Sequence, residues 1–590
     1  MKINMIRCFL LIALVSIILP SVSTVAQPTA ITTKGKDFWL TFIPNFHQNN
    51  TATDSLFIYI VAEVPTGGSI SYRDKVGVIR QKTFQITDPT VVYSFSIGWR
   101  NFELVGFNQN STIVNNNQTE DIASQNFHVI ADQEIGVYAL SQATTTSDAF
   151  VVLPTKVLGQ EYYVLAYNSD GKGNGSSGIA GPSTPSQFAV LATEDNTTIT
   201  ITPKTATYNY GLSPQTITLN QGESYLVQAK ITAQNLRSDL TGSHVTSTKP
   251  IAVFAGQQRA TVPIEFADTL LSRDCLIEQM PPVRAWGKNA FLTPYPLPAD
   301  AASNGYDVYR ILAAYDSTQV FIDGISLRSY LNAGGEYTGG ILKAQTITAN
   351  KPILVAHFKK SAGGNPTPSG ASPLSDPFML IIPPKEQFLK SYRFYNVQAY
   401  DSRNPAGVYV EQYITVVAPT STLSTIKLDG KPVDVTKFVP IPPSNEYSYA
   451  WLGGKNGADG MTEGAHTIAA DEPIGIYIYG YGEANSYGYA GGMDLTGVVS
   501  AVDELPAAED DITVSPNPTS ATFSMTWNCA LLSYRVINSL GEEIFAENMK
   551  AESSSDRSRE IDMTAVPSGV YYVLFRTTMG MISKPIIVIH

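Results

Sequence analysis

The side chains with the clearest potential for chemistry form a short run, Asp274, Cys275 and Glu278. A nucleophilic cysteine needs a neighbouring histidine or another group that stabilises its thiolate. The nearest histidines in the sequence, His244 and His357, belong to no recognisable partner motif. A buried structural cysteine is the more common case, so the sequence predicts no catalytic residue and no enzymatic activity.

Three histidines raise the question of a metal centre, because His128, His244 and His466 begin similar segments of the chain. Metal ligands must converge within about 2 Å of one ion. These residues are more than 100 positions apart, and a fourth copy of the segment has Thr346 instead. Repetition of the fold explains the histidines better than a metal does, and the sequence predicts no metal site and no cofactor.

Two loops rich in Asp, Asn and Gly contain the oxygen ligands that calcium prefers. They are NSDGKGNGSSG at 168–178 and GGKNGADG at 453–460. Turn formation alone selects the same residue types. Calcium therefore stays open as an alternative to the absence of a cofactor.

Aromatic side chains indicate a binding surface. Tyrosine is favoured where a surface must be apolar and also form hydrogen bonds. The segment YIYGYGEANSYGYAGG at 477–492 places tyrosines at close spacing among glycines that expose the backbone, so we do not expect all of them to point inward. The predicted ligand-binding surface consists of Tyr477, Tyr479, Tyr481, Tyr487 and Tyr489.

The elements that carry these residues recur along the chain. The four copies are HVIADQEIGVYAL (128–140), HVTSTKPIAVFAG (244–256), TITANKPILVAHF (346–358) and HTIAADEPIGIYIYG (466–480). Self-similarity at a nearly constant period indicates a tandem array. Each copy is interpreted as a hairpin of two short strands around a polar turn.

The rest of each repeat is also typical of strands. A unit opens with a strand such as GKDFWLTFIP (35–44), and an alternating segment such as FAVLATEDNTTITITP (188–203) indicates a second hairpin. The shortest unit, about residues 389–482, holds seven plausible strands, which is typical of a β-sandwich. One propeller blade per repeat is the alternative, although four blades make an unusually small ring.

The composition and charge of the chain argue against nucleic-acid binding and against a fold held by disulfides. The 590 residues carry a formal net charge of −12, only 15% of them are charged, and no cluster of Lys and Arg stands out. Nucleic acid is therefore not expected as a partner. Cys275 and Cys529 lie in different predicted domains, so they form no disulfide framework.

The N-terminus is typical of a secretory signal peptide. It has a basic start with Lys2 and Arg7, an apolar run from Phe9 to Leu19, and small residues before a predicted cleavage site after Ala26. No other segment approaches the roughly 18 apolar residues that a transmembrane helix needs. The mature chain is predicted to have no membrane span.

Much of the chain resembles a known family. The residues that carry the resemblance include SDAFVVLPTKVLGQEYYV (147–164), LTGSHVTSTKPIAVFAG (240–256) and DTLLSRDCLIEQMPPVRAWGKNAFLTPYP (268–296). They resemble the N-terminal domain family of IgGFc-binding proteins, over about residues 33–482. The resemblance implies binding or adhesion by a secreted or surface protein, without an enzymatic residue set.

The C-terminal part changes character after an acidic Ala/Pro linker, AVDELPAAEDD (501–511). It resembles the sorting domain of type IX secretion cargo, over about residues 511–590. The residues that carry this resemblance are Pro516, Asn517, Pro518, Gly541, Pro567, Gly569, Tyr571 and Lys584. The resemblance implies Sec export followed by type IX secretion to the outer cell surface, with the type IX machinery as a partner.

The predicted fold class is all-β: tandem β-sandwich-like repeats, with a propeller-like arrangement as the alternative, followed by a small C-terminal Ig-like β-sandwich. The predicted domains are a signal peptide (1–26), four β repeats (27–158, 159–286, 287–388 and 389–500), a linker (501–511) and a type IX sorting domain (512–590).

The predicted function is non-enzymatic binding or adhesion by a secreted or cell-surface bacterial protein. Its expected partner is an extracellular glycoprotein or polysaccharide. Two alternatives stay open: a secreted hydrolase of polysaccharide or protein, and a self-associating surface or matrix protein.

Overall fold

A computed structural model gives the fold of most of the chain. It describes residues 31–47, 54–107, 117–172, 183–267, 272–296, 306–362, 376–400, 404–495, 512–527, 531–538, 543–548, 557–577 and 580–590. The predicted signal peptide and linker, and Cys529, lie outside these ranges.

The described chain is almost entirely β-structure, which confirms the predicted fold class. In the described ranges the helices are short 3-10 segments, at Trp99–Asn101, Thr155–Val157, Ile264–Phe266, Val283–Ala285, Lys385–Gln387, Thr420–Thr425, Val435–Lys437 and Ala458–Gly460. None of these has the length and apolar character needed to cross a membrane.

Four sheets follow one another along the chain, one for each repeat. Repeat 1 has β1 (Gly35–Leu40), β2 (Ser55–Ala62), β3 (Thr66–Arg73), β4 (Ile79–Ile86), β5 (Tyr93–Gly98), β6 (Ile122–Ala123), β7 (Asn126–Ala143) and β8 (Thr146–Val152). Repeat 2 has β9 (Gly159–Tyr163), β10 (Ser186–Ala192), β11 (Thr197–Thr202), β12 (Gln215–Leu219), β13 (Ser224–Gln228), β14 (His244–Ala260) and β15 (Asp274–Gln279). The short strand β6 of repeat 1 pairs with β13 and so joins the second sheet.

Repeats 3 and 4 use the same plan. Repeat 3 has β16 (Gly287–Leu292), β17 (Asp307–Ala313), β18 (Val320–Ile322), β19 (Ile325–Ser326), β20 (Glu336–Ile341), β21 (Gln345–Phe358) and β22 (Met379–Ile381). Repeat 4 has β23 (Leu389–Asn396), β24 (Tyr409–Pro419), β25 (Lys427–Leu428), β26 (Lys431–Pro432), β27 (Val439–Pro440), β28 (Tyr447–Lys455), β29 (Gly464–Gly482) and β30 (Asn485–Ala490).

The segment that recurs in every repeat is one long strand, so its interpretation as a hairpin is wrong. The long strands are β7, β14, β21 and β29, of 14 to 19 residues. In β14, residues 244–246 pair with β9, whereas residues 251–257 pair with β10. Lys249 and Pro250 lie where the strand changes partners, and proline is tolerated there because the ladder is interrupted. A change of partners inside one strand thus has the same sequence pattern as a turn.

The second recurring segment is not a hairpin either. Its two arms in repeat 2, β10 and β11, border opposite halves of the long strand β14. The polar residues between the arms carry the chain from one half of the sheet to the other. Each repeat is therefore two half-sheets that share a long strand.

Four hydrophobic cores hold the repeats together, and each core is shared by two neighbouring repeats. The first core joins Phe38 and Phe127 of repeat 1 to Leu191 and Phe254 of repeat 2. The same pattern joins repeats 2 and 3, 3 and 4, and finally 4 and 1. Half-sheets that serve two cores are buried on both faces, so the repeats depend on one another for burial of apolar surface.

The last strand of each repeat lies at the centre of the body. These inner strands, β8, β15, β22 and β30, contact one another in a closed ring, and every residue in them is buried. Of the two arrangements that the sequence leaves open, these contacts favour the propeller-like one.

The two ends of the repeat array meet and close the ring. Thr32 forms an antiparallel bridge with Asp494. The Thr33 amide donates to the Met493 carbonyl at 3.2 Å, and the Leu495 amide donates to the Ile31 carbonyl at 2.6 Å. The chain thereby fastens its first described residues to the end of repeat 4.

The C-terminal part is a small two-sheet domain with its own core. Its strands are β31 (Ile512–Ser515), β32 (Thr522–Trp527), β33 (Leu531–Asn538), β34 (Glu543–Asn548), β35 (Ser558–Asp562), β36 (Gly569–Thr577) and β37 (Gly580–Val588). One sheet has the order β31-β32-β35 and the other β34-β33-β36-β37. Phe523, Val536 and Phe575 are among the side chains buried between them.

Candidate functional site at the loop end of the ring

The predicted tyrosine surface is wrong, because all five tyrosines are 0% exposed. Tyr477, Tyr479 and Tyr481 fill the core between repeats 3 and 4. Tyr487 and Tyr489 fill the core between repeats 4 and 1. Close spacing of tyrosines normally places some of them outside, but here neighbouring repeats cover both faces of β30 and of the second half of β29.

The run Asp274, Cys275 and Glu278 lies on the inner strand β15. Burial raises the pKa of the Cys275 thiol well above its ordinary value, which disfavours the reactive thiolate. Glu278 Oε1 accepts a hydrogen bond from the Ile381 amide of β22 at 3.1 Å. The run thus connects inner strands of the ring.

Asp148 of β8 is the most connected side chain of the ring. Its Oδ2 accepts from the amides of Ile277 and Met379, both at 3.1 Å. Its Oδ1 accepts from the amides of Ala149 at 2.9 Å and Gly488 at 3.4 Å. Burial raises the pKa of Asp148, and these four amides act against that shift. One carboxyl group thereby ties β8 to the inner strands of the other three repeats.

Further polar contacts link the connections that flank the inner strands, and we call this part of the ring the loop end. At this end the connections between the first and second strands of the repeats meet the connections that lead into the inner strands. In repeat 1, for example, Asn45 donates to Ser141 Oγ at 3.0 Å, and Thr144 donates to Asp54 Oδ1 at 2.9 Å. These bonds hold the connection between β1 and β2 against the connection that leads into β8, and Asn45 and Asp54 are buried there.

His47 at the loop end is held between two carboxylates. Its Nδ1 lies 2.8 Å from Asp54 Oδ2, its Nε2 lies 3.0 Å from Glu103 Oε2, and its ring stacks on Trp99 with centroids 3.6 Å apart. Burial lowers the pKa of His47, but Glu103 and Asp54 more than offset this and raise it to about 9. The imidazolium therefore forms a buried triad of charges at neutral pH.

A second group of charges lies where repeats 1, 2 and 3 meet at the loop end. Asp170 is fully buried, and its Oδ1 lies 2.6 Å from Lys172 Nζ and 2.9 Å from Arg237 Nη1. Its Oδ2 lies 3.6 Å from Arg273 Nη1. The Arg259 guanidinium lies over the Phe46 ring, 4.5 Å from its centroid. We call Lys172, Arg237, Arg259 and Arg273 the cation cluster.

The loops considered for calcium have other surroundings. In the first loop, residues 173–178 lie outside the described ranges, and the described Asp170 is surrounded by the cation cluster. In the second, Asp459 pairs with Lys437 and accepts from the Gly453 amide at 3.0 Å. Among the described residues no group of three or more His, Cys, Asp and Glu side chains is arranged to hold a metal ion.

The recurring histidines are separate from one another and belong to local pairs. His128 stacks on Trp39 with centroids 3.8 Å apart, and His244 stacks on Tyr163 at 4.5 Å. His466 lies 2.7 Å from an oxygen of Asp429. Each histidine therefore stabilises the start of its own long strand.

Sequence reasoning missed the cation cluster, although a signal was present. Arg259 and Arg273 stand in otherwise uncharged runs, GQQRA at the end of β14 and LSR before β15. Charged residues at the border of apolar strands are rarely buried unless they are paired. Their convergence depends on contacts between repeats, which periodicity along one strand cannot reveal.

The residues of the predicted sorting motif surround the C-terminal strand. The Asn517 side chain donates to the Pro585 carbonyl at 2.8 Å and accepts from the Ile587 amide at 2.9 Å. Tyr571 donates from its hydroxyl to the Pro567 carbonyl at 2.8 Å. Pro516, Pro518, Gly569 and Lys584 are also described, whereas Gly541 lies outside the described residues.

Comparisons with known proteins bear on both parts of the chain. A family described as IgGFc binding protein matches residues 148–480, and a family described as a secretion system C-terminal sorting domain matches residues 513–589. A human IgGFc-binding protein is 25% identical over 385 residues, which are 63% of this chain and 6% of the human protein. This chain thus spans a small part of that relative.

Two solved structures overlap with this chain, both weakly. A biofilm-associated protein BSP domain is 7% identical with a TM-score of 0.14, covering 52% of this chain and 82% of that one. A trypsin-activated alpha-2-macroglobulin from Escherichia coli is 9% identical with a TM-score of 0.12, covering 94% and 49%. Overlaps this weak carry no argument about fold or function.

Proposed function

Because this chain belongs to the IgGFc binding protein family and carries a secretion system C-terminal sorting domain, we propose that it is a non-enzymatic binding protein displayed on or released from a bacterial surface. The sorting domain directs the chain to secretion by the type IX machinery. The proposed ligand is an extracellular glycoprotein or polysaccharide. Sec export, with cleavage after Ala26, belongs to the same proposal.

The observation that carries this proposal is the placement of the acidic groups. A glycoside hydrolase needs two carboxyl groups that face one site from which substrate and water are reached. The acids of the inner strands are instead buried, and Asp148 and Glu278 accept hydrogen bonds from backbone amides. This arrangement gives these acids a structural role and supports a protein that binds its ligand without cleaving it.

The test uses the purified mature chain with mucins, immunoglobulins and polysaccharides, and records both retention on each ligand and the mass of the ligand afterwards. Retention with an unchanged ligand mass is expected. Fragmentation of any ligand would show a hydrolase and overturn the proposal. Retention of nothing together with self-association at micromolar concentration would favour the structural alternative.

The sorting domain gives a separate prediction about export. Replacing Asn517 with alanine removes two hydrogen bonds to the C-terminal strand, which costs roughly 1–3 kcal/mol in the small domain. We expect secreted or surface-exposed protein to fall and cell-retained protein to rise, measured by fractionation of cells that express the full chain. The matched control is Asn350→Ala, a change of the same residue type in repeat 3, which should leave export unchanged. Normal export of the Asn517 variant would contradict the prediction.

A further inference from the structure

Two members of the cation cluster, Arg259 and Arg273, have little negative charge beside them. Among the described carboxylates, that of Asp170 lies within 4.0 Å of members of the cluster. Its two oxygens are shared by Lys172, Arg237 and Arg273. Arg259 has no carboxylate oxygen within that distance in the described part of the chain. Its Nε donates to the Arg273 carbonyl at 3.4 Å.

The second acid of the neighbourhood does not restore the balance. Asp376 is buried and accepts a hydrogen bond from the Ser272 hydroxyl. Burial raises the pKa of Asp376 to about 7, whereas the Ser272 hydrogen bond and the charges of Arg259 and Arg273 act against that rise, so burial disfavours a full negative charge here. Asp274 is engaged by the amides of Ser147 and Cys275. Two arginines therefore share this site with too little negative charge.

The guanidinium groups of Arg259 and Arg273 are also incompletely paired. Arg273 is 7% exposed, and among the described residues its Nε is a buried donor without a partner. Burial and the nearby charge of Arg273 lower the pKa of Arg259 to about 10. An unpaired buried charge is costly, and an anion from solution would supply the missing partner.

We propose that Arg259 and Arg273 bind an anionic group, the carboxylate or sulfate ester of an acidic polysaccharide. Guanidinium groups present several donors in a planar fork that matches carboxylate and sulfate oxygens. Arg237 and Arg259 are half-buried and keep the cluster in contact with solvent. This inference rests on the proposed function and names the chemical class of its ligand.

The first test asks whether small anions bind. Thermal unfolding of the full mature chain is measured in chloride, acetate and sulfate at one ionic strength. Sulfate or acetate should raise the midpoint above that in chloride, and Arg259→Gln and Arg273→Gln should each abolish the rise. The control Arg328→Gln changes the same residue type at an exposed site and should keep it.

The same variants separate a ligand site from an internal ion pair. If the two arginines form a binding site for an anion from solution, the Arg259→Gln variant should have an unfolding midpoint in chloride that is unchanged or higher. The reason is that the substitution removes repulsion from Arg273. A lower midpoint in chloride, with no difference among the anions for the unmodified chain, would overturn the inference.

The second test identifies the source of the anion with one polymer backbone. The full mature chain is passed over dextran, carboxymethyl-dextran and dextran sulfate. Retention by a charged polymer but not by dextran is expected, with at least tenfold weaker binding for both arginine variants. If both arginine variants keep full retention, the proposed anion site would be overturned, but the binding function would not. Retention on neutral dextran alone would also overturn the site, and retention on none of the ligands of either panel would count against the function itself.

Discussion

Replacing Asp148 with alanine should prevent the repeat array from folding as one body. The change leaves four backbone amides without their acceptor inside a ring of fully buried strands. Each buried donor left unsatisfied costs about 1–3 kcal/mol, so the sum is comparable with the whole stability of about 5–15 kcal/mol that is usual for a folded protein.

The measurement is the midpoint of chemical unfolding, followed by tryptophan fluorescence. Asp148→Asn keeps the volume but replaces one acceptor oxygen by a donor, so it should be destabilised less than Asp148→Ala. The control Asp471→Ala removes an exposed carboxylate where β29 changes partners and should behave like the unmodified chain. An Asp148→Ala variant with unchanged stability would show that the inner ring does not depend on this residue.

Replacing His47 with glutamine should destabilise the body by about 3–5 kcal/mol, as expected when one member of a buried charge group is removed. Two buried carboxylates, Asp54 and Glu103, then lose the imidazolium between them. The matched control is His244→Gln. Its pair with Glu161 is partly exposed, so the expected loss is less than about 1 kcal/mol.

His47 also makes stability depend on pH in a defined direction. Its pKa rises from 6.5 in the unfolded chain to about 9 in the fold. Because the folded value is the higher one, the contribution is complete below about pH 6.5 and is lost as the pH rises through about 9. A rise of this size corresponds to about 3 kcal/mol. Unfolding of the unmodified chain should therefore become easier between these pH values, and His47→Gln should lack that dependence. Parallel pH profiles for the two proteins would contradict the assignment.

The sequence predicts the strands and their repetition well, because both depend on local patterns. Alternation of apolar and polar residues identifies β11, and the four recurring segments mark the four long strands. It does not reveal that one strand passes through two half-sheets, since polar residues at Lys249 and Pro250 have the pattern of a turn. Which strands pair with each half of a long strand is determined by the folded sheet, and the sequence of one segment does not reveal it.

The candidate site could be predicted less well, for a related reason. Tyr479 and Tyr487 look exposed when a strand is assumed to have one solvent face, whereas neighbouring repeats cover both faces. Conversely, Asp170 and Arg273 are 103 positions apart in the sequence, and the ring brings them together. Residues that act between repeats become visible only when the repeats are assembled.

The most direct test of a single closed body of four repeats is differential scanning calorimetry of the full mature chain. For residues 31–495 we expect one transition with a van't Hoff enthalpy of about 300 kcal/mol, at about 0.7 kcal/mol per residue, with the sorting domain unfolding separately. A calorimetric enthalpy equal to that value would show that the four repeats unfold together. Independent repeats would instead give transitions of about 80 kcal/mol each, and that result would contradict the closed body.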